Sequence, residues 1–451
     1  MKPFYVKDAV AACGGRYVGP EAGLAREVRF VTSDSRTAGA GALFVAFKGE
    51  RVDGHRFMAD CLSKGAACCV SEREPVDETE TPCIVVDSSL RAIGAIAAWH
   101  RSRFDIPVIG VTGSVGKTTT KEMIAAVLSV RFNTHRTEKN FNNELGVPWT
   151  LLRLDDENQV SVVEMDINRF GEMRRLTHMV RPTVAVFTVI GDAHLEFLGD
   201  RPGVLRAKGE IFEGMDADGL AVLNGDDPLL QACHPDMHRV TYGKDPTNDV
   251  WADDIRVDGV RGLRFTVHHP EGSFEAEIAE YGAHLVYAAL AAAVGLALGM
   301  RPEEIAEGFK HYKTVGNRAR VIDAGGLKIV SDCYNANPNS MRAAIDSLAG
   351  IEGRKIAILG DMLELGDASE ALHRGVGEYA AKGGVDLVIG CGTLARAVAE
   401  GAEHAGAQAL YYAARDALIA DLPTIVRPGD VVLVKASHSL AFERIVEALE
   451  K

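Results

Sequence analysis

The chain has 451 residues, 47% of them hydrophobic and 25% charged, and a formal net charge of -14; that length predicts about three domains, each with its own core. The acidic balance excludes a protein that coats nucleic-acid phosphates through a basic face, so charge on an anionic ligand must be met by local groups. Eight cysteines with no C-x-x-C pair, in a chain long enough to need no cross-links, predict reduced thiols, and the lack of a signal-type segment or of ~18 uncharged apolar residues in a row predicts a cytoplasmic protein without membrane insertion.

Residues 1–105 contain strand-like runs, VRFVTSDSR, ALFVAFKGE, AACCV and CIVVD, and a helical FMADCLSKG, a pattern that predicts a small α/β domain. Two polar clusters follow apolar runs, where loops carry binding groups. One is Ser33, Asp34, Ser35 and Arg36; the other runs from Lys48 and Gly49 through Asp53 to His55. Solvated turn chemistry explains the same residues equally well.

The stretch from Ile106 to Val130 reads as strand, small-residue turn and helix, with Met123, Ile124, Val127 and Leu128 on one helical face. The turn is Thr112, Gly113, Ser114, Val115, Gly116, Lys117, Thr118 and Thr119. Glycines let backbone N–H groups curl around an anion, Lys117 adds a point charge, Thr118 can reach a phosphate-bound Mg²⁺, and the helix N-terminus points its positive end the same way. The strict phosphate-loop pattern wants glycine where this chain has Val111. Farther on, Asn140, Asn142 and Asn143 crowd before a Gly-x-Pro turn, suiting either polar-ligand recognition or helix capping.

QVSVVEM and PTVAVFTVI read as buried strands ending near Glu164 and near His194. In an open parallel sheet, ligands sit beyond the carboxyl ends of the strands, so Thr118, Glu164 and His194 are expected at one edge, where they can hold metal. A helix expected from Pro202 to Met215 puts Lys208 in an apolar stripe with Val204, Ile211, Phe212 and Met215; its ammonium either snorkels to water or needs a partner or a changed charge. Near-alternation between Val250 and Glu280 predicts hairpins on the flank, and an alanine-rich helix is expected to begin at His284. Beyond residue 318, LKIVSD, KIAILGD, VDLVIGCG, ALYY and VVLVKAS each precede a helical pattern, which predicts a doubly wound, Rossmann-like sheet.

Several motifs carry a family resemblance. T-G-x-x-G-K-T after a strand, the T-x-x-N-x-N-N asparagines, A-H-L-E at His194 and A-K-x-x-I at Lys208 resemble the Mur ligases, as does SDSR followed by FVAFKGE and DGHRF. The C-terminal D-x-Y-N-A-N-P and L-G-D-M-L-E-L-G resemble those members that add the terminal dipeptide; relatives adding the third residue carry D-Y-A-H-x-P there. The resemblance implies an α/β protein of three domains. Residues 1–105 would bind the uridine nucleotide, residues 106–317 would form a central P-loop ATPase domain on a parallel sheet with flanking hairpins, and residues 318–451 would bind the incoming dipeptide and part of ATP. It also implies ATP-dependent joining of D-alanyl-D-alanine to UDP-N-acetylmuramoyl-tripeptide through an acyl phosphate, by a monomer. Two Mg²⁺ ions would be held by Thr118, Glu164, His194 and a carbamylated Lys208. His284, Arg318 and Asp332 would contact nucleotide, and Asn335, Asn337 and Glu364 substrate. The chain departs from the family at Asp166, Leu285, Tyr287, Arg320, Ala436 and His438, which leaves open a paralogue with another acceptor, or a nucleotide-binding homologue without catalysis.

Overall fold

The computed structural model describes residues 1–50, 52–75, 81–233, 235–257, 262–280, 282, 285–287, 293–315, 319–348 and 351–451. Three larger sheets account for its layers. The first has five strands in the order Arg16–Val18, Cys83–Val85, Cys68–Ser71, Ala42–Val45 and Phe30–Thr32, parallel except at the Arg16–Val18 edge. Its central strands, ALFV and CCVS, are buried along their whole length, as expected of parallel strands covered on both faces.

The second sheet has nine strands. Val108–Thr112 lies between Val160–Glu164 and Val184–Phe187, parallel to both, with Glu164 in register with Val111 and Phe187 with Thr112. That register brings Glu164 to the edge where the glycine turn leaves the sheet. The antiparallel flank of Val250–Val257, Leu263–His269 and Gly272–Ile278 matches the expected hairpins. The third sheet, from the C-terminal part of the chain, runs in spatial order Arg320–Ala324, Leu327–Asp332, Val431–Lys435, Lys355–Gly360, Leu387–Cys391 and Gln408–Tyr412; all pairs are parallel except the first hairpin. Architecture of this kind is α/β throughout.

One apolar core runs from Phe4 and Ile84 of the first sheet's region through Ile93 and Ile96 to Met165 and Leu223 under the second sheet. The helix Ser89–Arg101 forms that continuity: Arg101 Nε donates to the Val180 carbonyl at 3.0 Å, and His100 Nε2 donates to the Leu154 carbonyl at 3.0 Å. The cores around the third sheet draw only on residues from Val321 onward. Among the described residues no helix is long and apolar enough to cross a membrane.

Candidate active site

The turn out of Val108–Thr112 is tied to the exit of the neighbouring strand. Gly113, at φ 138°, passes so close to Thr188 that a Cβ would lie 2.0 Å from its Oγ1. Thr188 Oγ1 donates to the Val115 carbonyl at 2.6 Å, and the Gly191 N–H donates to Ser114 Oγ at 2.9 Å. Thr112 stays buried beneath the loop. The helix Lys117–Leu128 then begins with its free N–H groups and positive end at the loop. Its Met123, Ile124, Val127 and Leu128 are all buried, as the periodicity predicts.

A cavity of about 420 Å³ opens at this point, lined on one side by Ser114 to Thr119, Asn140, Asn142, Glu164, Asp166 and His194, and on the other by Asp332, Tyr334 to Asn337, Leu363 to Leu365 and Lys435. Thr118 Oγ1 donates to Glu164 Oε1 and Oε2 at 3.0 and 2.9 Å, and Asn142 Nδ2 donates to Glu164 Oε1 at 2.9 Å. A hydroxyl and a carboxylate beside the glycine loop form an oxygen donor set that fits Mg²⁺, whose other positions are normally filled by phosphate and water. Among the described residues no three His, Cys, Asp or Glu side chains converge on a metal position.

Lys117 is less open than a loop lysine suggests, its side chain only 11% exposed: it donates to the Gly113 carbonyl at 2.9 Å and lies 3.1 Å from Asp166 Oδ1. Lys208, 0% exposed, donates to the same oxygen at 3.4 Å. Asp166 therefore sits between two ammonium groups. Burial pushes its pKa up, but Lys117, then Lys208 and His194, outweigh this and hold it well below the usual carboxylate range. Burial pushes Lys208 down to about 8, with Asp166 pulling the other way. The helix carrying Lys208 is shorter than expected, Arg201–Gly209, and tightens to a 3₁₀ turn at Glu210–Gly214; Val204 and Ile211 are nonetheless buried beside it.

The facing domain contributes an ion pair: Lys435 Nζ donates to Asp332 Oδ2 at 2.6 Å and to the Asn335 carbonyl at 2.8 Å. Asn337 caps its helix, accepting from Ser340 N at 2.9 Å, and Asn143 caps another turn, accepting from Gly146 N at 3.0 Å. Both side chains are thus engaged locally, and Asn143 does not line the cavity. His194 is bonded across the domain boundary to Glu364, not to Glu164. Asp192 N–H meets Asn339 Oδ1 at 2.9 Å along the same seam. His284 and Arg318 lie outside the described residues.

The candidates in the first domain lie apart from this cavity, none of them lining it. Asp34 accepts from Arg36 N and its guanidinium, with Ser33 and Ser35 in the same turn. His55 gives Nδ1–H to Asp53 at 2.7 Å and accepts the Glu72 N–H at Nε2, while Arg73 reaches Asp53 at 2.8 Å. Lys48 bridges Asp53 as an isolated β-pair, and Gly49 N–H donates to the Val52 carbonyl at 3.0 Å. Sequence reading names Asp166 only as a departure from the family and passes over Lys435 and Asn339. Asp166 and Lys435 carried a signal, a charged group at or just past a parallel strand's end; Asn339 carried none.

A glycine loop opening a helix at the carboxyl edge of a parallel sheet, faced across the cavity by a second α/β domain, is the architecture of a nucleotide-dependent enzyme. The chain belongs to the Mur ligase family: the catalytic domain of that family matches residues 27–101, its middle domain residues 111–296, and its glutamate ligase domain residues 317–438. It is 37% identical to the UDP-N-acetylmuramoyl-tripeptide--D-alanyl-D-alanine ligase of Bacillus subtilis over 93% of this chain and 92% of that one. The Escherichia coli enzyme of the same name is 38% identical over 93% of each chain. Among solved structures, MurF from Acinetobacter baumannii superposes with a TM-score of 0.91 at 32% identity over 100% of both chains. MurF ligase from Thermotoga maritima in complex with ADP superposes with a TM-score of 0.82 at 31% identity, covering 94% of this chain and 97% of that one.

Proposed function

We propose that this chain is the ATP-dependent ligase that joins D-alanyl-D-alanine to UDP-N-acetylmuramoyl-tripeptide in peptidoglycan precursor synthesis. The observation that carries the reading is the two-sided cavity, in which the phosphate-loop group Lys117, Thr118 and Glu164 faces the D-C-Y-N-A-N-P segment and its Asp332–Lys435 pair. In the first step the terminal carboxylate of the tripeptide attacks the γ-phosphorus of ATP, an acyl O–P bond forms, and ADP leaves. The dipeptide amine then attacks the acyl carbon. A C–N bond forms, the amine gives up a proton, and phosphate departs with the donor's oxygen.

Lys117 neutralises charge on the transferring phosphoryl group, and the loop N–H groups orient it. Mg²⁺, when bound, supplies Lewis-acid charge to the same oxygens; Thr118, Glu164 and His194 would hold it, with Lys208 as a carbamate completing a second site. His284, Arg318 and Asp332 are assigned to the nucleotide, Asn140, Asn142, Asn335 and Asn337 to the peptide substrates. Residues 1–105 take the uridine-diphosphate end through the loops at Asp34 and Asp53. The docked second domain excludes water from the acyl phosphate. The reading takes the protein as a monomer acting in the cytoplasm on nucleotide-linked substrates.

The Asp166–Lys208 contact favours a second reading at one point: an ammonium with a carboxylate 3.4 Å away is already partnered and needs no carbamate. Labelling with ¹³C-bicarbonate separates the two, a carbamate resonance lost in Lys208→Ala supporting the modified form. For the reaction itself, phosphate release is expected only with ATP, the UDP-linked tripeptide and D-alanyl-D-alanine together. Faster release with a different amine in place of the dipeptide would assign another acceptor.

A further inference from the structure

Glu364 and His194 meet across the boundary between the central and C-terminal domains. His194 follows the strand Val184–Phe187 and Glu364 follows the strand Lys355–Gly360, so two parallel sheets present these residues to one another from their carboxyl edges. The imidazole Nδ1–H donates to Glu364 Oε2 at 2.5 Å, and the Glu196 N–H donates to the Glu364 carbonyl at 3.3 Å. Both residues stand in the left-handed region, at φ 56° and 62°, a conformation that side-chain-bearing residues avoid unless surrounding contacts hold them there. The Glu364 side chain is 41% exposed, and across the boundary its carboxylate meets His194 while its carbonyl meets Glu196.

A neutral imidazole carries one N–H and one lone pair. With the N–H at Nδ1 engaged by a carboxylate, the lone pair sits at Nε2, the form in which histidine ligates metal, and the ring's orientation is fixed as well. Both residues line the cavity that holds Lys117, Thr118 and Glu164. We propose that Glu364 is a positioning residue for His194: it holds the imidazole with Nε2 available to the Mg²⁺–nucleotide, and it does so only while the C-terminal domain is docked. Metal binding and domain closure are thereby coupled through one hydrogen bond. The proposal rests on the ligase reading of the same site and assigns Glu364 to the metal side of the cavity, where sequence reading assigned it to substrate.

Mn²⁺ binding to the full chain with a non-hydrolysable ATP analogue, followed by electron paramagnetic resonance, tests this. Glu364→Ala is expected to weaken Mn²⁺ binding about tenfold, and Glu364→Gln, whose amide oxygen still accepts Nδ1–H, to recover most of that loss. In a His194→Ala background, Glu364→Ala should add no further loss. The KM for D-alanyl-D-alanine should stay near the wild-type value in Glu364→Ala while kcat falls. Unchanged Mn²⁺ affinity in Glu364→Ala, an undiminished loss in the His194→Ala background, or a raised dipeptide KM with normal metal affinity would each overturn the proposal. Failure of the wild-type chain to ligate, with the Mn²⁺ pattern intact, would instead remove the ligase reading and leave the Glu364–His194 coupling standing.

Discussion

Asp166 shows how much of the site depends on single side chains. Its carboxylate lies 3.1 Å from Lys117 and 3.4 Å from Lys208, so Lys117→Ala removes the phosphate-facing charge yet leaves Asp166 a cationic partner. Ligation is expected to fall at least about a hundredfold, with stability reduced by less than about 2 kcal/mol; near-normal turnover would remove the loop from the chemistry. That Thr118 and Glu164 meet at one sheet edge was legible, because a loop motif and a strand end located them. The pairing of Asp166 was not, since nothing in the local sequence says which distant lysines share its pocket. His100 belongs to the same scale. It is buried against Phe4 and Phe104, with ring centroids 6.1 and 5.2 Å away, and burial pushes its pKa from the usual 6.5 down to about 4. The folded state therefore favours the neutral ring, and the unfolded chain binds the proton first as pH falls. Stability from this group is fully present above about pH 6.5 and drains away toward pH 4. Between pH 7 and pH 5 it should account for about 2 kcal/mol of lost stability, measurable by urea unfolding as a pH dependence smaller by that amount in His100→Gln.

Elements that carry strong periodicity or end in a motif were legible: the strand Val108–Thr112, the helix Lys117–Leu128 and the flanking hairpins stand where the pattern puts them. Short edge strands were not. Arg16–Val18 and Arg320–Ala324 are three and five residues long with mixed polarity, and each becomes a strand only through an antiparallel neighbour. The expected helix from Pro202 to Met215 is interrupted because its last turn tightens at Glu210, whose carboxylate accepts from Gly171 N and Arg174 N. Close packing of two helices gives a test at this scale. Pro302–Lys310 lies against the loop helix so tightly that a Cβ on Gly308 would fall 2.4 Å from Val127 Cα. Gly308→Ala must push the helices apart, at a cost of about 1–3 kcal/mol, and displace the positive end of Lys117–Leu128 from the phosphate. A lower melting temperature together with a raised KM for ATP is the expected pair of results; a lower melting temperature alone would mean that the shift does not reach the loop.

For the whole molecule, the distribution of cores sets what moves with what. The first two sheets share a core through Ile93 and Ile96, whereas the third has cores of its own and meets the others through polar bonds such as Asp192–Asn339 and His194–Glu364. Calorimetry is expected to show two transitions, with Ile93→Ala lowering only the larger one, by about 2–5 kcal/mol; an equal shift of both would mean a single cooperative body. Three α/β layers were legible from alternating strand and helix patterns. The docking of the third was not, because its bonds join single polar residues far apart in the chain, with no periodicity to mark them. That docking is what places the D-C-Y-N-A-N-P segment across the cavity from the glycine loop. Mass spectrometry of the product formed from UDP-N-acetylmuramoyl-tripeptide, ATP and D-alanyl-D-alanine is expected to show the tripeptide extended by the dipeptide with loss of one water, in step with ADP and phosphate. Unchanged tripeptide alongside ATP hydrolysis, or extension only by a different amine, would contradict the assigned reaction.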